Sequence, residues 1–144
     1  MKKQTLLQYV HHVHYVVQNR DAMVDYFEKN FGMKPDQVCE DKDNHRKEAI
    51  YDVDKTQLQI VEPTDTTSIQ ARHLAKYGPG VYHVAWAIDN LRTVVPDLIA
   101  KGNKLKFNEE LAKDSILKSP RGYPNCNIDP ASSHGLWFQL VGED

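Results

Sequence analysis

The chain has 144 residues, 40% of them hydrophobic and 26% charged, which suits one globular domain with a sizeable core and excludes a disordered chain. A formal charge of −2 leaves no electrostatic footprint for nucleic acid. No apolar run reaches the length of a membrane span or resembles a signal-peptide core, and Cys39 and Cys126 share no metal or redox spacing, so two free thiols in a reducing cytoplasm are expected.

In chain order, residues 9–17 alternate and are rich in Val, Tyr and His, the pattern of a strand. Alternation places His12 and His14 on one face and Val13, Tyr15 and Val17 on the other. Asn19 or Asp21 caps a helix in which Met23, Val24, Phe27 and Phe31 form an apolar stripe. Gly32 stops that helix and Pro35 prevents its continuation. A weak strand pattern covers residues 37–42. Residues 48–53 read as a strand, Asp54-Lys55 as a turn, and residues 56–61 as an alternating strand with Gln57 and Gln59 on one face. Glu62, at its end, is expected to be exposed, and Asp41 to Lys47 to form a solvated charged loop.

Pro63 to Gly80 is a connector with a short helix near residues 68–74. A strand over 81–88 follows, then a helix from about Asn90 to Lys101 with Gly102 as its stop; Pro96 bends this helix or delays its start. A weak strand near residues 104–107 precedes a long irregular stretch, in which Lys113 to Tyr123 is expected to form a lid or binding loop. The last strand runs over 136–141. Tyr15 and Trp86 are expected to face helices, whereas Trp137, in phase with Gln139, is expected on a cavity wall.

The two halves repeat. Val10 to Asn19 aligns without a gap on Val81 to Asn90, which matches His12 with His83, 71 positions later. Leu58-Gln59-Ile60-Val61 likewise matches Phe138-Gln139-Leu140-Val141, at an offset of 80. Each half therefore presents one His early and one Gln late in otherwise apolar strands. The expected architecture is α+β: a single domain over 1–144, made of one βαβββ module over 1–65 and another over 78–144, with a curved mixed sheet around a central cavity. Two His and two Gln from the two modules can hold a divalent cation, since imidazole suits Zn, Co, Ni or Fe and an amide oxygen suits harder ions such as Mn. The bland alternative is that all four polar groups hydrogen-bond inside a cavity. His14, on the same face, reads as a spare ligand, a proton carrier, a substrate contact or a partly solvated strand histidine.

This pattern resembles the vicinal oxygen chelate superfamily, which includes glyoxalase I, extradiol dioxygenases and the fosfomycin and bleomycin resistance proteins. Within it, the chain is most similar to methylmalonyl-CoA epimerase. The resemblance runs from Val10 to Val141, through Glu48-Ala49-Ile50, Thr56 to Pro63, Gly80 to Trp86 and Leu136 to Leu140. It implies metal ligands at His12, Gln59, His83 and Gln139, and a general base at Glu48. The family carries Glu at the fourth ligand position, where it serves as the second proton-transferring carboxylate; this chain has Gln139, and an amide is no base at physiological pH. The family's His-Pro-Lys-Ser before the last strand is here Asp129-Pro130-Ala131-Ser132, so a cation is missing, for which Lys118 or Arg121 are candidates.

The resemblance thus implies a metal-dependent lyase or isomerase that forms an enolate and keeps one of two bases. Its partner would be a small molecule, an acyl thioester or a ketone. A homodimer is expected, with neither nucleic acid nor membrane as partner. The alternative is a non-catalytic binding protein of the antibiotic-sequestering kind; the survival of His12, Gln59, His83 and Glu48 argues against it. An oxygen-activating iron enzyme ranks last, because Gln139 removes the carboxylate such iron sites use.

Overall fold

The computed structural model describes residues 5–106, 116–119 and 121–142. Its elements are β1 (Tyr9–Val16), α1 (Arg20–Phe31), β2 (Gln37–Asp41), β3 (Arg46–Val53), β4 (Thr56–Pro63), α2 (Ile69–Tyr77), β5 (Gly80–Ile88), α3 (Leu91–Ala100), β6 (Leu117–Lys118), β7 (Pro124–Asn127) and β8 (Phe138–Gly142). The order βαβββ therefore occurs twice, with α2 in the connector. The chain forms two compact units, residues 12–82 and residues up to 11 together with those from 83 onward. No helix among the described residues is long and apolar enough to cross a membrane.

In the first unit the strand order is β2-β3-β4-β1. β2–β3 and β3–β4 are antiparallel, and β4 joins β1 in parallel. Period-2 alternation sorts the side chains. Val17, Ala49, Tyr51 and Ile60 form a buried cluster against which Tyr15, Met23, Val24, Phe27 and Leu58 pack. α1 covers this face because Asn19 caps it, its side chain accepting from the Ala22 N–H, and because Gly32 ends it at φ 65°, a left-handed turn open to glycine. Phe31 departs from the expected stripe: it is 60% exposed, lying past the edge of the cluster with its ring against Phe27. Glu62 also departs from expectation. Its carboxylate accepts the Arg20 backbone N–H at 2.8 Å, filling one of the open donors of the first turn of α1.

In the second unit the order is β5-β8-β7-β6, with β5–β8 parallel and β8–β7 antiparallel. Ile88, Leu91, Val95, Leu105, Cys126, Ile128 and Leu140 make its core, with Trp86 packed against it as expected. Helix α3 starts at Leu91 despite Pro96; that proline lies on the exposed side, where losing a backbone hydrogen bond is least costly because water can replace it. Two expectations need correction here. Residues 104–106 form no strand and contribute one isolated bridge, Leu105 to Ile128, and Phe107 lies outside the described residues. The supposedly irregular stretch contains β6 and β7 instead. Of the expected loop over Lys113–Tyr123, residues 113–115 and 120 lie outside the described residues.

Candidate metal and proton-transfer site

Strand pairing decides what shares a face with the candidate ligands, because residues directly opposite one another in a ladder point the same way. In the first unit His12 stands opposite Gln57 and His14 opposite Gln59. Gln59 in turn faces Ile50, and Glu48 faces Val61 and Cys39. His12, His14, Gln57, Gln59 and Glu48 therefore lie on one face, opposite to that covered by α1. His12, His14, Gln59 and Glu48 are all buried, His12 to within 1% of complete. Burial corrects the solvated reading of His14, whose ring packs 5.2 Å from that of Tyr82.

Glu48 is held on two sides. Arg46 Nε sits 2.9 Å from Oε1 as an ion pair, and the Cys39 thiol donates to Oε2 at 3.4 Å. Arg20 donates to the Cys39 carbonyl at 2.9 Å and to the Glu48 carbonyl at 3.4 Å, tying α1 to the backbone beneath the carboxylate. A buried carboxylate needs such partners, since an unpaired one is costly to desolvate. Behind Tyr82 lies His73 of α2, its ring 4.9 Å away and perpendicular; burial pushes its imidazole below the ordinary histidine range.

In the second unit Gln139 stands opposite Ala85 on one side and Asn127 on the other. The repeat seen in the sequence thus survives in the register. Each Gln lies beside the residue two positions after its His, which is His14 in one half and Ala85 in the other. His83 is buried, and Trp137, in phase with Gln139, lies against it with ring centroids 5.6 Å apart. Gln139 Oε1 is buried and accepts no hydrogen bond from the described residues. A buried carbonyl-type oxygen without a donor fits a cation ligand, and imidazole nitrogens and amide oxygens are both donors a divalent metal accepts. Among the described residues, no three His, Cys, Asp or Glu side chains gather to hold a metal; a set of two His and two Gln is of a different composition.

Three residues on the second unit's face were not anticipated. Asn125 and Asn127, both buried, project from β7 on the same side as Gln139; the alternation Asn125-Cys126-Asn127-Ile128 was their signal, hidden inside a stretch read as irregular. Lys106 places its ammonium 5.1 Å from the Trp137 ring centroid, a cation–π distance, and nothing in the sequence pointed to it. Of the residues proposed to replace the missing family cation, Lys118 is exposed on β6 and Arg121 lies in a turn.

Residues 11–115 match the Glyoxalase/Bleomycin resistance protein/Dioxygenase superfamily. The chain belongs to this superfamily. Among solved structures, methylmalonyl-CoA epimerase from Mycobacterium tuberculosis matches with a TM-score of 0.82 and 23% identity, over 100% of this chain and 93% of that one. A hypothetical protein from Bacillus halodurans C-125 matches at 0.80 and 15%, over 94% of both chains. A variant of Streptomyces coelicolor methylmalonyl-CoA epimerase in complex with 2-nitronate-propionyl-CoA matches at 0.78 and 23%, over 95% of both. These likenesses establish a shared α+β fold. No curated protein matches the sequence.

Proposed function

We propose that this member of the superfamily is a metal-dependent lyase or isomerase acting on an acyl thioester or ketone, with His12, Gln59, His83 and Gln139 as metal ligands and Glu48 as general base. The observation that carries this reading is the buried carboxylate of Glu48 on the same strand face as His12 and Gln59, the placement a general base beside a metal-bound substrate needs. A bound divalent cation would polarise the substrate carbonyl and stabilise the enolate charge that develops. Glu48 would take the α-proton on one face and, from that face, deliver it to another atom of the same substrate: a second carbon or the oxygen of the enolate in an isomerisation, or the departing group in an elimination. Arg46 and Cys39 hold its two oxygens, so little reorganisation accompanies the transfer. Gln139 supplies an oxygen and no base, which favours one-face chemistry over epimerisation. Trp137 would wall the pocket, and Lys106 above it would offer a cation to an anionic substrate group. The two free cysteines suit a reducing cytoplasm.

The test is exchange of the α-proton of acyl-CoA thioesters in deuterated buffer with cobalt or zinc present, followed by NMR. Wild type should exchange it, and Glu48→Gln should slow exchange by about 100-fold or more. Absence of exchange across a panel of enolisable thioesters and ketones in the metal-loaded wild type would remove the enzymatic reading.

A further inference from the structure

We infer that two hydrogen-bond relays, one in each unit, lock the amides of Gln59 and Gln139 with nitrogen tied to the protein and oxygen turned away, and that the relay at Gln139 selects an amide over a carboxylate at that position. Asn125 is then a positioning residue. The use of the two oxygens as metal ligands rests on the function proposed above; the orientation itself does not.

An amide can flip, so its orientation is settled only by partners that can do a single thing. In the second unit the Trp137 indole N–H, which can only donate, donates to Asn127 Oδ1 at 3.1 Å. This turns Asn127 Nδ2 toward Asn125 Oδ1, 3.3 Å away. The other end is anchored too: Asn125 Nδ2 donates to the Leu117 carbonyl at 3.4 Å, and a carbonyl can only accept. Asn125 Oδ1 must therefore be the acceptor presented to Gln139, and Gln139 Nε2 donates to it at 3.4 Å. Oε1 is left buried and turned out of the relay. Asn125 and Asn127 are 3% and 5% exposed, so water does not readily replace either link. In the first unit the Asp52 carboxylate, an acceptor when ionised, takes Gln57 Nε2 at 3.4 Å, and Gln57 Oε1 takes Gln59 Nε2 at 3.1 Å. Residues of different type thus reach the same result at both glutamines.

The consequence is particular to this chain. A carboxylate at 139 would set an acceptor oxygen against Asn125 Oδ1 with no proton between them. Turning Asn125 over would oppose its oxygen to the Leu117 carbonyl and its nitrogen to that of Asn127. The amide at 139 and the asparagine relay therefore depend on each other, and together they give a neutral oxygen of fixed direction.

The experiment is a double-mutant cycle on metal-free protein at neutral pH. Gln139→Glu should lower the unfolding midpoint by about 4 °C or more, and the loss should shrink by at least half in an Asn125→Ala background. A Gln139→Glu midpoint within about 1 °C of wild type, or an equal loss in both backgrounds, overturns the inference. Should Asn125→Ala not fold, wild type alone decides: the Gln139 side-chain amide protons should exchange with deuterated solvent more slowly than those of exposed Gln18, and equal rates overturn it. Cobalt titration separates the two readings. Wild type should bind cobalt, and Asn125→Ala about tenfold more weakly; unchanged affinity refutes the presented oxygen. If wild type binds no cobalt while the cycle shows its coupling, the orientation stands and the metal-dependent reading falls.

Discussion

At the scale of single residues, the two cysteines sit in opposite chemical settings. Cys126 is fully buried in the second unit's core, and burial pushes its thiol up to about 12, so almost no thiolate exists near neutral pH. Cys39 is half-buried and donates to the Glu48 carboxylate. Titration of native protein with a disulfide reagent at pH 8 should therefore find one reactive thiol, lost in Cys39→Ser, with the second appearing only after unfolding. Two equally reactive thiols in native protein would contradict the burial of Cys126.

At the scale of elements, α1 is held without a single fully buried residue, so its attachment rests on half-buried side chains. Phe27 stacks on Tyr51 with centroids 4.4 Å apart and packs on the first unit's core, whereas Phe31 is mostly exposed. Phe27→Ala should cost about 2–4 kcal/mol in chemical denaturation and Phe31→Ala about 0.5 kcal/mol or less; similar losses would mean that the helix docks differently. Helix α2 carries a pH dependence. The imidazole of His73 is depressed by desolvation, from an ordinary value of 6.5, so the folded state binds fewer protons than the unfolded chain. Its contribution is complete above pH 6.5 and is lost as pH falls through the depressed value. The unfolding midpoint should decline below about pH 6.5, and His73→Gln should flatten that decline. A slope unchanged by the substitution would assign it to other groups.

At the scale of the whole molecule, each unit has its own apolar core and contributes one His and one Gln to the proposed ligand set. A cation that binds only the folded chain should stabilise it by about 2.7 kcal/mol when free metal stands at 100 times Kd. Cobalt should therefore raise the unfolding midpoint, a chelator should reverse the rise, and His12→Ala or His83→Ala should each abolish it. A rise that survives both substitutions would place the cation elsewhere.

The repeat that matches His12 with His83 and Gln59 with Gln139 was legible in the chain because strand side chains alternate with period two and the same polar positions recur in both halves. The start of the first helix was legible as Asn19 or Asp21, of which the structure uses Asn19, and its end as Gly32, because capping and left-handed turns depend on nearest neighbours alone. Strand β7 was not: it has four residues, begins with Pro124, and shows its apolar side only through Cys126, whose partner Leu140 is distant in sequence. Nor could local pattern show that His14 stands beside Gln59, or that Lys106 lies over Trp137. Residue types alone named the oxygens available at Gln59 and Gln139. Their direction was decided by tertiary structure, because an amide's orientation is set by which neighbours can only donate and which can only accept, and those neighbours come from other strands.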